Sequence, residues 1–320
     1  MTNLDALGQG VSDKTEIDET DSLKGVSLHE LPEFDVYAPS SLEEALTYLS
    51  GEGRGSRLLA GGTSLIPQMR KDGARVTRVV DLSGLSDLRY VRRTLNTIRI
   101  GGLTTIRELA EAEIFDDRYC CFRRLEHDLG FVATRNMATV GGNLAAGADG
   151  DVAEILLALD GRVVIRNVKG ERAAEPTNLS LAEDEVVVEV QFSVLEGPVS
   201  TWFSKLEKRN ENGKGGITTT TLVKLKDDRT VEDVRIAVSR ARGKKTGRAH
   251  GAESELRGRT PDAANIGRAL DMLVSEIDPA GDYRGSSRFR KEVTRAMVKE
   301  GLEKCLEKLN HDRGEGAGQC

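Results

Sequence analysis

The sequence predicts an α+β protein built from more than one unit, and three observations carry that prediction. Short β-branched runs alternate with amphipathic, capped helices over the first quarter of the chain. Two short apolar runs, 80 residues apart, each end in a glycine pair, Gly61-Gly62 and Gly141-Gly142, a spacing that points to two subdomains closing on one elongated ligand. Beyond residue 216, strand-like runs give way to two helical periodicities, as expected of a separate α+β unit. At 320 residues the chain exceeds what one small core needs, and two or three domains are the natural prior.

Taken in order, residues 1–30 are acidic and poor in large apolar side chains, so they cannot bury enough surface to offset their ordering entropy and are expected to form a tail. A first subdomain, 31–85, reads as β-α-β. Ser41 and Glu44 make a capping box for a helix that carries Leu42, Ala45, Leu46 and Leu49 on one face, Arg57 to Leu59 is a strand, and Arg75 to Leu82 is another. A second subdomain, 86–209, begins with two strand-like runs flanking Thr94-Leu-Asn96. It continues with a helix from Thr105 that has its own capping box, a helix over 118–129, and a helix opened by Asp151 and running through Leu159. Strands over 162–166 and 185–192 follow. The remainder, 210–309, reads as a three-stranded sheet, with runs at 217–225 and 231–239, and then helices over 263–277 and 289–309; residues 310–320 are expected to be a flexible tail.

Composition excludes several functions. Hydrophobic residues make up 38% and charged residues 31%, and the net charge of −6 argues against a nucleic-acid-binding protein, which needs clustered excess lysine and arginine. The basic run Arg235, Arg240, Arg242, Lys244, Lys245 and Arg248 lacks interleaved aromatics and reads as a solvated strand and loop. No apolar run approaches the ~20 residues of a membrane span. The first ten residues have neither the basic start nor the apolar core of a signal peptide, so a cytoplasmic location is expected. Cys120, Cys121, Cys305 and Cys320 show no C-x-x-C spacing and read as free thiols. The four histidines lack the i, i+4 pairing of a metal site, and no metal is expected.

The chemistry is concentrated at the glycine pairs. Glycine lets the backbone turn sharply and present bare N–H groups to an anion, and two such segments can grip one diphosphate. Thr63, Ser64 and Asn143 sit beside them with side-chain donors. Neither segment is a G-x-G-x-x-G or a G-x-x-x-x-G-K-[ST], so Rossmann and P-loop readings lose their support. Plain turns after strands remain the rival reading.

Through these two segments and five others, the chain resembles the FAD-binding medium subunit of the molybdenum hydroxylases, the carbon monoxide dehydrogenase, xanthine dehydrogenase and 4-hydroxybenzoyl-CoA reductase type. The resemblance spans Phe34 to Cys305. It rests on Leu59-Ala-Gly-Gly-Thr-Ser-Leu-Ile-Pro67, Ile100-Gly-Gly-Leu-Thr-Thr105, Arg135-Asn-Met-Ala-Thr-Val-Gly-Gly-Asn-Leu144, Asp151 ahead of Ile155-Leu-Leu-Ala-Leu159, Phe203-Ser-Lys-Leu-Glu-Lys-Arg209, Arg248-Ala-His-Gly-Ala-Glu-Ser-Glu-Leu-Arg-Gly258 and Asp282-Tyr-Arg-Gly-Ser-Ser-Arg-Phe-Arg290. It implies the two-subdomain FAD-binding fold of the vanillyl-alcohol oxidase and p-cresol methylhydroxylase type plus a small C-terminal α+β domain. It further implies that Ala60, Gly61, Gly62, Thr63, Ser64 and Leu65 wrap the FAD diphosphate from one side and Thr139, Val140, Gly141, Gly142 and Asn143 from the other. Gly102 and Thr104 match a loop near the cofactor, Asp151 an acid near the ribitol or ribose, and Lys205 a lysine close to the flavin ring. Asp151 is also placed to cap a helix, with Glu154 completing a box, and a solvent-facing strand accounts equally well for Phe203, Lys205, Glu207 and Arg209.

The function implied is an electron-transfer subunit, with no catalytic residue of its own. Electrons would come from a small iron–sulfur subunit and pass to an external acceptor, while substrate would be oxidised in a large molybdenum-cofactor subunit, the whole forming a dimer of heterotrimers. Two departures from the family pattern bear on this: the loop Ala145-Ala-Gly-Ala-Asp-Gly150 is a residue shorter than in many relatives, and Asn210-Glu-Asn-Gly-Lys-Gly-Gly216 replaces the usual run after the arginine. The cysteine-bearing insertion of the hydroxybenzoyl-CoA reductase branch is absent, so no extra cluster is expected. A self-contained FAD-dependent oxidoreductase of the vanillyl-alcohol oxidase fold and a flavin-free scaffold subunit are the alternatives.

Overall fold

The computed structural model describes residues 31, 33–72, 76–147, 150–206, 216–243, 245–282 and 285–311. The expected acidic tail, most of the segment 210–216 and the last nine residues lie outside that set; residues 310 and 311, expected in the tail, instead finish the last helix.

Three sheets organise the chain. The first is fully parallel, in the order β1-β3-β2, built from β1 (Asp35–Tyr37), α1 (Leu42–Ser50), β2 (Arg57–Leu59), α2 (Leu65–Asp72) and β3 (Arg78–Asp81). Only half of the expected capping box forms at α1. Ser41 Oγ accepts from the Glu44 N–H at 3.1 Å, but the Glu44 carboxylate turns back to the N–H of Ser40 (2.8 Å) and the hydroxyl of Tyr37 (2.6 Å). Glu44 thereby ties the end of β1 to the start of the crossover helix.

The second sheet is antiparallel, in the order β4-β5-β8-β6-β7, from β4 (Val91–Arg93), β5 (Thr97–Gly101), β6 (Arg162–Asn167), β7 (Gly170–Ala174) and β8 (Val186–Ser193). Between β5 and β6 the described residues include the α-helices α3 (Ile106–Glu111), α4 (Cys120–Asp128), α5 (Val132–Met137), α6 (Val140–Ala145) and α7 (Val152–Ala158). Both faces of the sheet's central strands β6 and β8 are buried. Val163 and Ile165 point into a core with Phe122, Leu125, Ile155 and Leu156, while Val164, between them, packs with Ala45, Leu46, Leu49 and Val80 of the first unit. The period-2 alternation of β6 therefore joins the first two units in one body. At α3 both halves of the predicted Thr105/Glu108 capping box are present.

The third sheet has five strands rather than the expected three. β9 (Val199–Leu206) pairs with β10 (Ile217–Leu225) along its whole length, followed by β11 (Val231–Gly243) and β12 (Lys245–Arg248), and β13 (Asp278–Pro279) joins β11 in parallel. Its outer face carries α8 (His250–Leu256), α9 (Ala263–Glu276) and α10 (Ser287–His311) around Val223, Ile236, Leu270, Leu273, Val298 and Leu302. Its inner face rests on α4 and α7. Arg235 donates to the carbonyl of Ala158 (3.2 Å) and pairs with Asp160 (2.9 Å); Arg248 pairs with Asp160 (2.7 Å) and with the fully buried Glu253 (2.8 Å). The expectation of a solvated basic loop fails for these two arginines, because Asp160, which pairs with both, lies across the interface and far away in sequence. Among the described residues no helix is long and apolar enough to cross a membrane.

Candidate functional site

The first glycine pair closes the turn between β2 and α2. Gly62 takes a left-handed φ of +70°, and a Cβ on Gly61 would lie 1.7 Å from the carbonyl oxygen of Met137, at the end of α5. The two glycine segments therefore meet; they are not on distant surfaces. The carbonyls of Gly62 and Ser64 accept from Ile66 and Gln68 (3.0 and 3.2 Å), and Ser64 Oγ accepts from Gln68 Nε2 (3.0 Å), which fixes the turn. The N–H groups of Gly61, Gly62, Thr63, Ser64 and Leu65, in contrast, donate to no protein acceptor among the described residues. Unengaged amides at the start of a helix form an anion-binding surface.

The second pair is not a turn: Gly141 and Gly142 form the first turn of α6. Its amides are used internally. Val140 donates to Thr104 O (2.9 Å), Gly141 to Gly102 O (2.8 Å), Gly142 to the Thr139 hydroxyl (3.1 Å) and Asn143 to Thr139 O (2.9 Å). A Cβ on Gly141 would stand 2.8 Å from Gly102 O, so here the missing side chain lets two backbones run side by side. Gly142 faces the other lobe, where a Cβ would be 3.8 Å from that of Ala60. Thr104 lies beneath this contact, 1% exposed, its hydroxyl donating to Tyr90 O (2.8 Å) and accepting from Tyr90 N (3.0 Å).

Asn143 connects this segment to the next part of the site. Its Oδ1 accepts from the N–H groups of Asp151 (2.8 Å) and Val152 (2.9 Å), so Asn143, rather than an Asp151/Glu154 box, caps α7. Its Nδ2 donates to no protein atom among the described residues. The Asp151 carboxylate, relieved of capping, turns instead to β9, where its Oδ2 accepts from Lys205 Nζ at 2.8 Å, with the two side chains only 9% and 7% exposed. The solvent-facing alternative for Lys205 is thus excluded. Glu207 and Arg209, expected on the same strand face, lie outside the described residues.

One turn further along α7, Glu154 is 1% exposed, and sequence reasoning assigned it only to the cap. Its Oε1 accepts from the Thr246 hydroxyl of β12 (2.8 Å), whereas Oε2 has no hydrogen bond. Burial, followed by the negative charge of Asp151, pushes its carboxyl up to about 7, against the smaller opposing pull of the Thr246 and Thr218 hydroxyls. The signal was present in the sequence as one acid inside the apolar run Val152 to Leu159.

The donor set fits a dinucleotide. Open amides on one lobe face a segment ending in a free side-chain amide on the other, and a buried cation–carboxylate pair follows. Comparison with known proteins agrees. Residues 32–191 match the FAD binding domain in molybdopterin dehydrogenase, and residues 204–305 match the CO dehydrogenase flavoprotein C-terminal domain. The chain is 28% identical to the glyceraldehyde dehydrogenase medium chain of Sulfolobus acidocaldarius, over 83% of this chain and 96% of that one. It is 27% identical to the carbon monoxide dehydrogenase medium chain of Hydrogenophaga pseudoflava, over 85% and 96%. In structure it superposes with a TM-score of 0.79 and 26% identity on a chain of the Hydrogenophaga pseudoflava carbon monoxide dehydrogenase that lacks the Mo-pyranopterin moiety of its cofactor, covering 87% of this chain and 99% of that chain. The protein belongs to the FAD-binding flavoprotein subunits of the molybdopterin dehydrogenases, oxidoreductase components whose cofactor is FAD.

Proposed function

We propose that this chain is the electron-relay subunit of a molybdenum-containing hydroxylase. It receives electrons from a small iron–sulfur subunit and delivers them to an external acceptor, in a dimer of heterotrimers with a large molybdenum-cofactor subunit in the cytoplasm. FAD, when bound, supplies exchange between one-electron and two-electron transfer, and the protein supplies orientation and electrostatics. The N–H groups of Gly61 to Leu65, with Ala60 at their edge, bind the diphosphate. Thr139, Val140, Gly141, Gly142 and Asn143 close the other side, and Gly102 and Thr104 hold that segment in place. Asp151 orients Lys205, whose ammonium sets the charge beside the flavin ring. The two lobes are read as those of the vanillyl-alcohol oxidase type.

The observation that carries this reading is the run of five unengaged amides held against the second glycine segment. The names of the relatives, medium chains of multi-subunit dehydrogenases, support the partners. Co-expression with candidate large and small subunits, followed by flavin extraction, tests it. About one FAD per chain and copurification of all three are expected, whereas a colourless complex that takes up no added FAD overturns it.

A further inference from the structure

Glu154 stands where the FAD-binding lobes meet the third sheet. Its chain neighbours on α7 reach the proposed cofactor cradle in one step, because Asn143 Oδ1 grips the first amides of that helix and Asp151 holds Lys205. It is fully enclosed, with one oxygen accepting from the Thr246 hydroxyl and the other without a hydrogen bond of good geometry, although the Thr218 hydroxyl also favours its charged form. A buried carboxylate in that state is costly, and a nearby anion makes it costlier, since charges interact over long range where water is excluded. The cations whose side chains are described on the elements packed against α7 are engaged elsewhere or face solvent. Lys205 of β9 pairs with Asp151, Arg235 of β11 and Arg248 of β12 pair with Asp160, Lys224 of β10 pairs with Glu232, and Arg124 of α4 pairs with Asp128. Lys245 faces solvent, and burial pushes the Cys121 thiol of α4 up to about 12, so it stays neutral. None of these cations is therefore a counter-ion for Glu154; the side chains of Arg240 and Arg242 on β11 lie outside those described.

We propose that Glu154 is a proton site linked to cofactor occupancy: it is neutral when FAD is bound, and FAD is held more weakly once Glu154 ionises. This rests on the FAD reading of the cradle. Glu154 acts through its neighbours, as a positioning residue, with its carboxyl, Thr246 and the Asp151–Lys205 pair forming one seam. Because the group sits at about 7 without the cofactor, and the diphosphate raises it further, affinity is flat below pH 7. Above that it falls about tenfold per pH unit until the cofactor-bound value is passed.

Titration of the flavin-stripped assembly with FAD from pH 5.5 to 8.5, read by flavin fluorescence, tests this. Wild type is expected to weaken about tenfold or more above pH 7, while E154Q, whose amide oxygen still accepts from Thr246, stays flat at the acidic wild-type value. In T246V the loss of a donor to the charged form moves the midpoint upward, a shift that a merely structural role would not produce. A slope shared by wild type and E154Q, a flat wild-type profile, or an unmoved T246V midpoint overturns the proton link alone. Failure of FAD to bind at any pH overturns it together with the reading of the cradle.

Discussion

The two glycine pairs have the same composition and opposite uses. At Gly61-Gly62 the backbone turns, with Gly62 itself left-handed, and five successive amides have no acceptor among the described residues. At Gly141-Gly142 the backbone is helical and its amides are spent on Gly102, Thr104 and Thr139. What differs is the neighbourhood: Gly141 runs beside β5's exit, where carbonyls are in reach, while Gly61 meets only the end of α5 through its missing side chain. A doubled glycine thus marks a close approach of backbones, and whether its amides remain for a ligand depends on what passes alongside.

The strongest way to break this comparison is to add one methyl group to each pair. In Gly61→Ala the new carbon would sit 1.7 Å from a backbone oxygen that cannot rotate away, so the lobes must separate. Loss of bound FAD and a destabilisation of ~3 kcal/mol or more are expected, read from flavin absorbance and a denaturant midpoint. Gly141→Ala meets Gly102 O at 2.8 Å and should cost ~1–3 kcal/mol as an overpacking defect while keeping its flavin. If the second variant empties as completely as the first, the division of labour is wrong.

The next largest effect lies at the buried pair. Lys205→Met leaves Asp151 ionised, 9% exposed and without its ammonium, for an expected loss of ~3–5 kcal/mol. Adding Asp151→Asn should recover part of that loss, since the stranded charge is gone. A double variant no more stable than the single one in chemical denaturation would show that the pair is not what the site depends on.

Much of this was legible in the sequence, and the failures have physical causes. The Thr105 capping box, the hairpin around Thr94-Leu-Asn96, the 263–277 helix and the convergence of the glycine segments all follow from short-range chemistry or from the resemblance. β9 gave no alternation because nearly all of Val199-Ser-Thr-Trp-Phe-Ser-Lys-Leu206 is buried, between α10 on one face and α4 on the other. The Asp151/Glu154 box was a correct local pattern overruled by Asn143 from eight residues away, and Arg235 and Arg248 read as solvated because Asp160 reaches them only in three dimensions.

Acid titration sharpens the contrast between the two carboxylates of α7. Glu154 sits at about 7 when folded and at 4.5 in an open chain, so between these values the folded protein holds a proton that the unfolded one has released. Stability from this group is therefore greatest below pH 4.5, falls as pH rises to about 7 and is level above, by roughly 3 kcal/mol in total at 1.36 kcal/mol per unit. E154Q removes that slope, so the difference between wild-type and E154Q denaturation curves at pH 5 and pH 8 is the measurement. Equal differences at both values would mean that Glu154 is ionised throughout.

The smallest effect bears directly on the second glycine pair. The Thr139 hydroxyl, on a residue 6% exposed, is the acceptor for Gly142 N, an N-cap bond of 3.1 Å. Thr139→Ala should cost ~1 kcal/mol, and Thr139→Ser, which keeps the oxygen, only a few tenths. Because Gly142 N would then be the one amide of that segment without an acceptor, the alanine variant makes the second pair resemble the first. Were FAD affinity to rise in Thr139→Ala while thermal stability falls, amide availability would be the limiting feature of the cradle; an unchanged affinity means that the segment serves by its shape, as its internal hydrogen bonds indicate.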